Sequence, residues 1–327
     1  MCITKSMLIF SMPLKRKLIV CADDFGIDHA ICTGIVYGHT QGIITSTALL
    51  MNAPFTGFAI ELSKDAPDLE VGLHLSIVEG YCLSGQLSKS LLDPENYFSQ
   101  RPCLHRNWKQ FLKKFCLGQI SMLELEREFR MQIEAFLTEI GPIPFLNSTQ
   151  HLHCLPPIGK LVVSLCQEYG IKNIRLPKSI DRGARLNSRK IQAELLQSLS
   201  RRLRKKTSLR APDLAFGFTN AGALTRDLIL GFLPQIQENE VAEIMAHPGH
   251  DSATLRELLP QSYGTYNWSG ELAALVDPEI KLKMSELGIE LATFSTCASF
   301  ETGPAGLSQD MHPKLSPIKS RNFDFQR

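Results

Sequence analysis

The chain has 327 residues, 44% of them hydrophobic and 21% charged, which is ordinary globular composition with enough length for a large buried core. Lys and Arg total 35 against 33 Asp and Glu, a formal net charge of +2, and this excludes the broad basic face that nucleic acid or an acidic lipid surface would need. The nine cysteines are an odd number without a C-x-x-C pair, so neither a disulfide framework nor a zinc ribbon is indicated, and reduced thiols in a cytoplasmic protein are expected.

Met1 to Lys17 holds only the short apolar piece Met7 to Met12, too short to span a bilayer, and reads as an irregular leader. Leu18 to Ala22 is an apolar run closed by Asp23-Asp24-Phe25-Gly26, the pattern of a strand buried on both faces. Asp28 is placed to cap a helix over Ile31 to His39, which Gly42 ends. Ile43 to Met51 reads as a second strand, Ala53 to Leu62 as a second helix stopped before Pro67, and Val71 to Ile77 as a third strand. Residues 80–106, rich in Ser, Pro, Asn and Gln, read as a long loop over one end of the sheet.

Leu123 to Ile140 is amphipathic and stops at Gly141-Pro142, and a further helix runs from Pro156-Pro157 to Gly170. Ile171 to Pro177 and Val241 to Met245 read as strands, and Ile289 to Phe294 as the last one. Residues 178–235 are expected to form a helical and looped insertion, in which Arg201, Arg202, Arg204, Lys205 and Lys206 make a solvated basic run. Residues 300–327 lack periodicity and are expected to be a disordered tail. The strand and helix alternation predicts an α/β fold with mostly parallel strands, open or closed into a barrel, in a single domain over 18–299.

The polar clusters fall where predicted strands end, which is where parallel α/β folds place their sites. Asp23 and Asp24 are adjacent carboxylates whose repulsion calls for a cation or a proton, although a turn in which one caps the next helix explains the pair alone equally well. His74, taken singly in an apolar strand, reads as a hydrogen-bonded core residue more readily than as a ligand. His151 and His153 alternate along an extended segment and should share a face, and His247 precedes Pro248 at another strand end. Asp23, Asp24 and these histidines together offer oxygen and nitrogen donors suited to zinc or another first-row divalent ion, with groups to spare for acid and base work. The sequence contains no G-x-S-x-G, Walker A or G-x-G-x-x-G string, so neither a serine triad nor a nucleotide loop is indicated.

Ala22-Asp23-Asp24-Phe25-Gly26 resembles the opening motif of the YdjC-like carbohydrate deacetylases, and further pieces follow in that family's order. They are Thr45-Ser46-Thr47 with Asn52, Gly72-Leu73-His74-Leu75 with Glu79-Gly80, and Gln150-His151-Leu152-His153 with Pro156. Arg175-Leu176-Pro177 and then Glu243 with His247-Pro248 complete the series, so that the resemblance runs from residue 17 to residue 296. It implies a distorted (β/α) barrel with loop and helix insertions, and hydrolysis of the N-acetyl group of an amino sugar, oligosaccharide or glycolipid. It also implies a divalent ion, zinc or magnesium, as cofactor, and an N-acetylated sugar as the partner, with no nucleic acid, no membrane span and homo-oligomer formation left open.

Carried over by position, the resemblance makes Asp23 the general base, His247 the general acid and Arg175 a residue that orients the site. Asp24 and His74 become metal ligands, with His153 and Glu243 supporting them. The family pattern H-[QH]-H-x-H supplies its third ligand from the first histidine, where this chain has Thr149, and Asn147 stands where an aspartate is usual. A hydroxyl is a poor ligand beside an imidazole, so His151 is expected to take over if strand alternation brings 149, 151 and 153 to one face. The alternatives are a catalytically impaired sugar-binding homologue and a metal hydrolase acting on a different amide bond.

Overall fold

The computed structural model describes residues 16–98, 101–180, 188–253, 255 and 265–297. The expected tail, and the leader apart from Arg16 and Lys17, lie outside the described residues. The chain opens with β1 (Arg16–Phe25), α1 (His29–Gln41), β2 (Ser46–Leu49), α2 (Thr56–Lys64) and β3 (Glu70–Leu75). A hairpin of β4 (Leu92–Phe98) and β5 (Arg101–Leu104) and the helices α3 (Trp108–Cys116) and α4 (Met122–Glu139) follow. Then come β6 (Leu146–Ser148), α5 (Pro156–Glu168), β7 (Ser179–Ile180), α6 (Ser188–Arg204), β8 (Leu214–Phe216) and α7 (Arg226–Phe232). The last elements are β9 (Val241–Ala246), α8 (Trp268–Leu275), α9 (Pro278–Glu286) and β10 (Ile289–Leu291).

The main sheet runs β6-β3-β2-β1-β9-β8-β7, with β10 on the other part of β1, and its pairs are parallel. Parallel neighbours require crossovers, and the intervening helices supply them. Beyond β6 the sheet continues through bridges of Leu146 to Ile174 and of Asn173 to Arg210, which curl it toward β8. This is the α/β fold expected, a distorted barrel with added helices. No helix among the described residues is long and apolar enough to cross a membrane.

The alternation of side chains along these strands makes two cores. Leu18, Val20 and Ala22 of β1, Leu73 and Leu75 of β3, and Ala242, Ile244 and Ala246 of β9 pack outward against the helices. Ile19 and Cys21, with Ala48, Phe145, Val241 and Phe294, form a small separate interior cluster. Phe145 and Phe294 stack at 4.0 Å there, and Gly72 leaves them room, since a Cβ on it would lie 2.4 Å from the Phe145 ring. The next residues of the interior face, moving toward the carboxyl ends of the strands, are polar: Asp23 after Cys21, His74 after Gly72, Asn147 after Phe145 and Glu243 after Val241.

Some sequence expectations fail for identifiable reasons. Residues 80–106 hold a 3-10 turn at Gly85–Leu91 and the β4–β5 hairpin where a loop was expected, because a short ribbon rich in polar residues has no apolar period. Ile171 to Pro177 makes only isolated bridges. The 178–235 region contributes β7 and β8 to the sheet, and strands of two and three residues are too short to show alternation. Asp28 caps α1 as expected, its carboxylate accepting from the Ala30 amide at 2.7 Å.

Helix α1 also fixes the turn after β9. The His250 amide donates to the Ala30 carbonyl at 3.1 Å, and a Cβ at Gly34 would lie 2.5 Å from Gly249 Cα. Glycine to alanine inside a helix ordinarily gains about 1 kcal/mol, whereas crowding a packed backbone contact costs about 1–3 kcal/mol. Gly34→Ala is therefore expected to lower stability in urea unfolding. A stabilised variant would show that α1 and the 247–250 turn are not in contact.

Candidate active site

Adjacent strand residues normally point to opposite faces, yet Asp23 and Asp24 both engage the same His74–Asn147 pair. The cause is a bulge. Against β2 the register passes from Ala22↔Thr47 to Phe25↔Leu49, one residue more on β1, and Asp24 takes the left-handed conformation at φ 66. Bulges and such backbone outliers recur beside functional sites because they re-aim side chains.

His74 and Asn147 lie directly opposite each other on β3 and β6. Asn147 donates from Nδ2 to Asp23 Oδ1 at 3.0 Å, which leaves its Oδ1 to accept from His74 Nδ1 at 2.5 Å. A carbonyl oxygen only accepts, so the His74 proton belongs on Nδ1, and Nε2 is turned to Asp24 Oδ1 at 3.5 Å. Burial disfavours charge on His74, but the Asp23 and Asp24 carboxylates and its hydrogen bonds outweigh that and raise its pKa.

Arg175 is fully buried and binds two carboxylates. Its Nη1 donates to Asp23 Oδ2 at 2.6 Å and its Nη2 to Asp23 Oδ1 at 3.0 Å, while Nε donates to Glu243 Oε1 at 2.6 Å. One cation cannot neutralise two anions, so a proton is favoured on one of them. Burial pushes Asp23 up, but the Arg175 charge, the His74 charge and the Arg175 hydrogen bonds pull it well below the usual carboxylate range. Glu243 has a single N–H from Arg175 and a second oxygen without a partner; burial pushes it up to about 7. Asp23 is thus the ionised member and Glu243 the one that carries the proton below neutral pH.

The histidine-rich segment departs from the strand expected. β6 ends at Ser148, and Thr149–Cys154 coils as 3-10 turns in which Gln150 and His151 are left-handed at φ 52 and 53. Alternation therefore stops, and 149, 151 and 153 do not share a strand face. His153 is fully buried with both ring nitrogens engaged, Nδ1 with Ser148 Oγ at 2.7 Å and Nε2 with the Arg175 carbonyl at 2.8 Å. Nε2 must donate to that carbonyl, so Nδ1 accepts from the serine, and burial pushes the ring down to about 4. The His153 ring thereby anchors the Arg175 backbone.

His151 is half-buried, with Nδ1 buried and unpartnered and its ring 5.3 Å from that of Phe218. Burial, then the Arg175 charge, hold it well below the ordinary histidine value. His247, just after β9, is half-buried; its ring meets the Tyr266 ring edge-on at 5.3 Å, and it lies within electrostatic reach of Asp23. Its backbone amide donates to Glu271 Oε2 at 2.6 Å. Nothing in the sequence distinguishes Glu271 from other helical glutamates, or marks Ser148 and Tyr266.

A divalent ion can be tested against these donors. Two ligands on a tetrahedral ion with bonds of about 2.1 Å stand roughly 3.4 Å apart, which the 3.5 Å separation of His74 Nε2 and Asp24 Oδ1 matches. Among the described residues no group of three His, Cys, Asp or Glu stands close enough to hold a metal ion. The Thr149 hydroxyl, one residue beyond the strand paired with β3, is buried without a hydrogen-bond partner, as is Nδ1 of His151. A carboxylate, an imidazole and a hydroxyl fit a hard or borderline divalent ion held by few protein ligands.

A curled parallel sheet that gathers paired carboxylates, imidazoles and one buried arginine at the carboxyl ends of its strands has the build of an acid–base enzyme. The YdjC-like protein family model matches residues 17–286, and the chain belongs to that family. It is 29% identical over 279 residues to a carbohydrate deacetylase of Clostridium beijerinckii, covering 85% of this chain and 98% of the relative. It is also 29% identical over 287 residues to a chitooligosaccharide deacetylase of Yersinia enterocolitica, covering 87% and 100%. The fold matches the crystal structure of an Enterococcus faecalis protein provisionally described as a cellobiose-phosphate cleavage protein, with a TM-score of 0.66 at 23% identity over 87% of this chain and 99% of the other.

The raised Glu243 carboxyl sets a pH dependence. A folded-state pKa above the unfolded one means that folding takes up a proton, so this group's contribution to stability is full below the unfolded value of 4.5 and falls as pH rises through about 7. Glu243→Gln keeps the neutral form at every pH. Relative to wild type it is expected to gain roughly 3 kcal/mol between pH 4 and pH 8 in denaturant unfolding. His151 and His153, whose pKa values are lowered, act with the opposite sign in the same range but cancel in this difference. A difference that does not change with pH would place an ionised Glu243 beside Arg175.

Proposed function

We propose that the protein is a carbohydrate deacetylase that hydrolyses the N-acetyl group of an amino sugar, on its own or in an oligosaccharide or glycolipid, releasing acetate and a free amine. The observation that carries this reading is Asp23, held as a carboxylate by Arg175 and Asn147 beside the Asp24–His74 pair, with His247 near enough to feel its charge. The family relatives named as deacetylases support the substrate class.

The roles follow from the local chemistry. Asp23 is ionised at any working pH and oriented by three N–H bonds, so it accepts a proton from water without first having to lose one. Its depressed pKa makes it a weak base, and a weak base serves only where the water is itself acidified. A zinc or magnesium ion held by Asp24, His74 and the Thr149 hydroxyl would, when bound, acidify water and polarise the acetyl carbonyl. His247 delivers a proton to the sugar nitrogen, which leaves poorly as an anion, and such acid–base groups each contribute roughly 10²- to 10⁴-fold. Arg175 fixes the Asp23 carboxylate plane, Asn147 fixes the His74 tautomer, and Glu243 and His153 hold Arg175. The free thiols at the described cysteines support a reducing compartment such as the cytoplasm.

Thr149 favours one second reading, a sugar-binding homologue in which catalysis is impaired. Acetate release from N-acetylated against non-acetylated glycans separates the two, and the deacetylase reading expects release from the acetylated set only. Asp23→Asn is expected to lower the rate by two to four orders of magnitude with metal content by elemental analysis unchanged, whereas Asp24→Ala or His74→Ala loses the metal. Thr149→His should raise both metal affinity and rate, because imidazole replaces a weak donor. No acetate release, from wild type and from Thr149→His alike, would favour the impaired homologue.

A further inference from the structure

Glu271 stands outside the cluster around Arg175, and the roles assigned above do not use it. It lies on α8 and is 1% exposed. Its Oε2 accepts from the His247 amide at 2.6 Å and its Oε1 from the Leu224 amide at 3.1 Å, and the Gly222 amide also bonds it. One side chain therefore ties together the turn after β8, the turn after β9 and α8. Asn267, which caps α8, reinforces the same junction, its backbone amide donating to the Gly222 carbonyl at 2.8 Å.

Burying a carboxylate is costly unless its oxygens are satisfied. Holding two turns together does not by itself require charge, but accepting at both ends of the group does. A glutamine has a single acceptor oxygen, and its NH₂ would face a backbone N–H. All of these donors are neutral amides that do not neutralise the carboxylate; burial raises its pKa while the amides pull it back, and it sits in a poorly solvated place next to the first residue after β9. The groups facing His247 are then Glu271 from α8, Asp23 from β1 and the Tyr266 ring set edge-on. An anion at short range favours the imidazolium form, and that is the form able to give a proton to a departing amine.

We propose that Glu271 is a positioning residue for the protonation step: its carboxylate holds His247 in place through the backbone and sets an acidic group beside it. The inference rests on His247 being the general acid of the deacetylase reading. It adds that the proton donor is tuned from α8, through a residue that touches neither substrate nor metal.

The test compares Glu271→Gln and Glu271→Asp in the full-length protein. The His247 imidazole is titrated by NMR, with His247→Gln identifying its signal, and kcat and KM are measured for acetate release from di-N-acetylchitobiose across pH. Removing the charge in Glu271→Gln is expected to lower the His247 titration midpoint by about one pH unit, a tenfold change in the proton equilibrium. The high-pH limb of kcat should move with it, and kcat should fall about tenfold with KM within twofold. Glu271→Asp keeps the charge and should keep most of the titration midpoint, even where thermal stability falls. Should the glutamine variant not fold, Glu271→Asp and Glu271→Asn make the same comparison at the shorter side-chain length. Equal midpoints in the charged and neutral variants, or a loss of stability with unchanged kcat and pH profile per folded molecule, would overturn the proposal. A wild type that releases no acetate would instead overturn the deacetylase reading, and the NMR titration would still decide whether Glu271 governs His247.

Discussion

The arrangement of the site depends on the buried guanidinium of Arg175. It is bidentate to Asp23 and also bound to Glu243, with no exposure to water. Removing one partner from such a buried group costs about 3–5 kcal/mol, because the remaining charges are left without compensation. Asp23 can be a fixed, ionised acceptor only while this cation is present, and the position of Asp23 sets that of Asn147 and, through it, the ring of His74. Two residues of the histidine-rich segment serve the same end, since Ser148 holds His153 and His153 holds the Arg175 carbonyl.

The geometry of the sheet accounts for the location of this cluster. Side chains alternate along each strand, so the interior positions nearer the amino ends fill with Ile19, Cys21, Phe145 and Val241, and polar Asp23, His74, Asn147 and Glu243 take interior positions further along their own strands. A regular β1 would have sent Asp24 to the helix-packed side. The extra residue in its register with β2 returns Asp24 to His74, at the cost of a left-handed aspartate.

Much of this was legible in the sequence. The apolar run closed by Asp23 and Asp24, the histidine in β3 and the histidine after β9 mark strand ends in a chain of alternating strands and helices, and the family motif gives their order. Three things were not legible. The left-handed pair Gln150-His151 ends strand alternation, and nothing in a run of His, Gln and Leu signals a positive φ. The pairing of His74 with Asn147 depends on strand register across an insertion of about 70 residues, which local pattern cannot supply. Glu271 acts through backbone amides, and a carboxylate bound to the main chain has no partner residue to reveal it.

The central claim is that one buried cation serves two carboxyl groups, keeping Asp23 ionised while Glu243 takes up a proton. Denaturant unfolding of Arg175→Met, alone and combined with Asp23→Asn and Glu243→Gln, tests it most directly. The single variant should lose about 3–5 kcal/mol, and the triple variant, which leaves no buried charge in this cluster, should recover most of that loss. A single variant that costs less than about 1 kcal/mol, or a triple variant no more stable than the single, would contradict it.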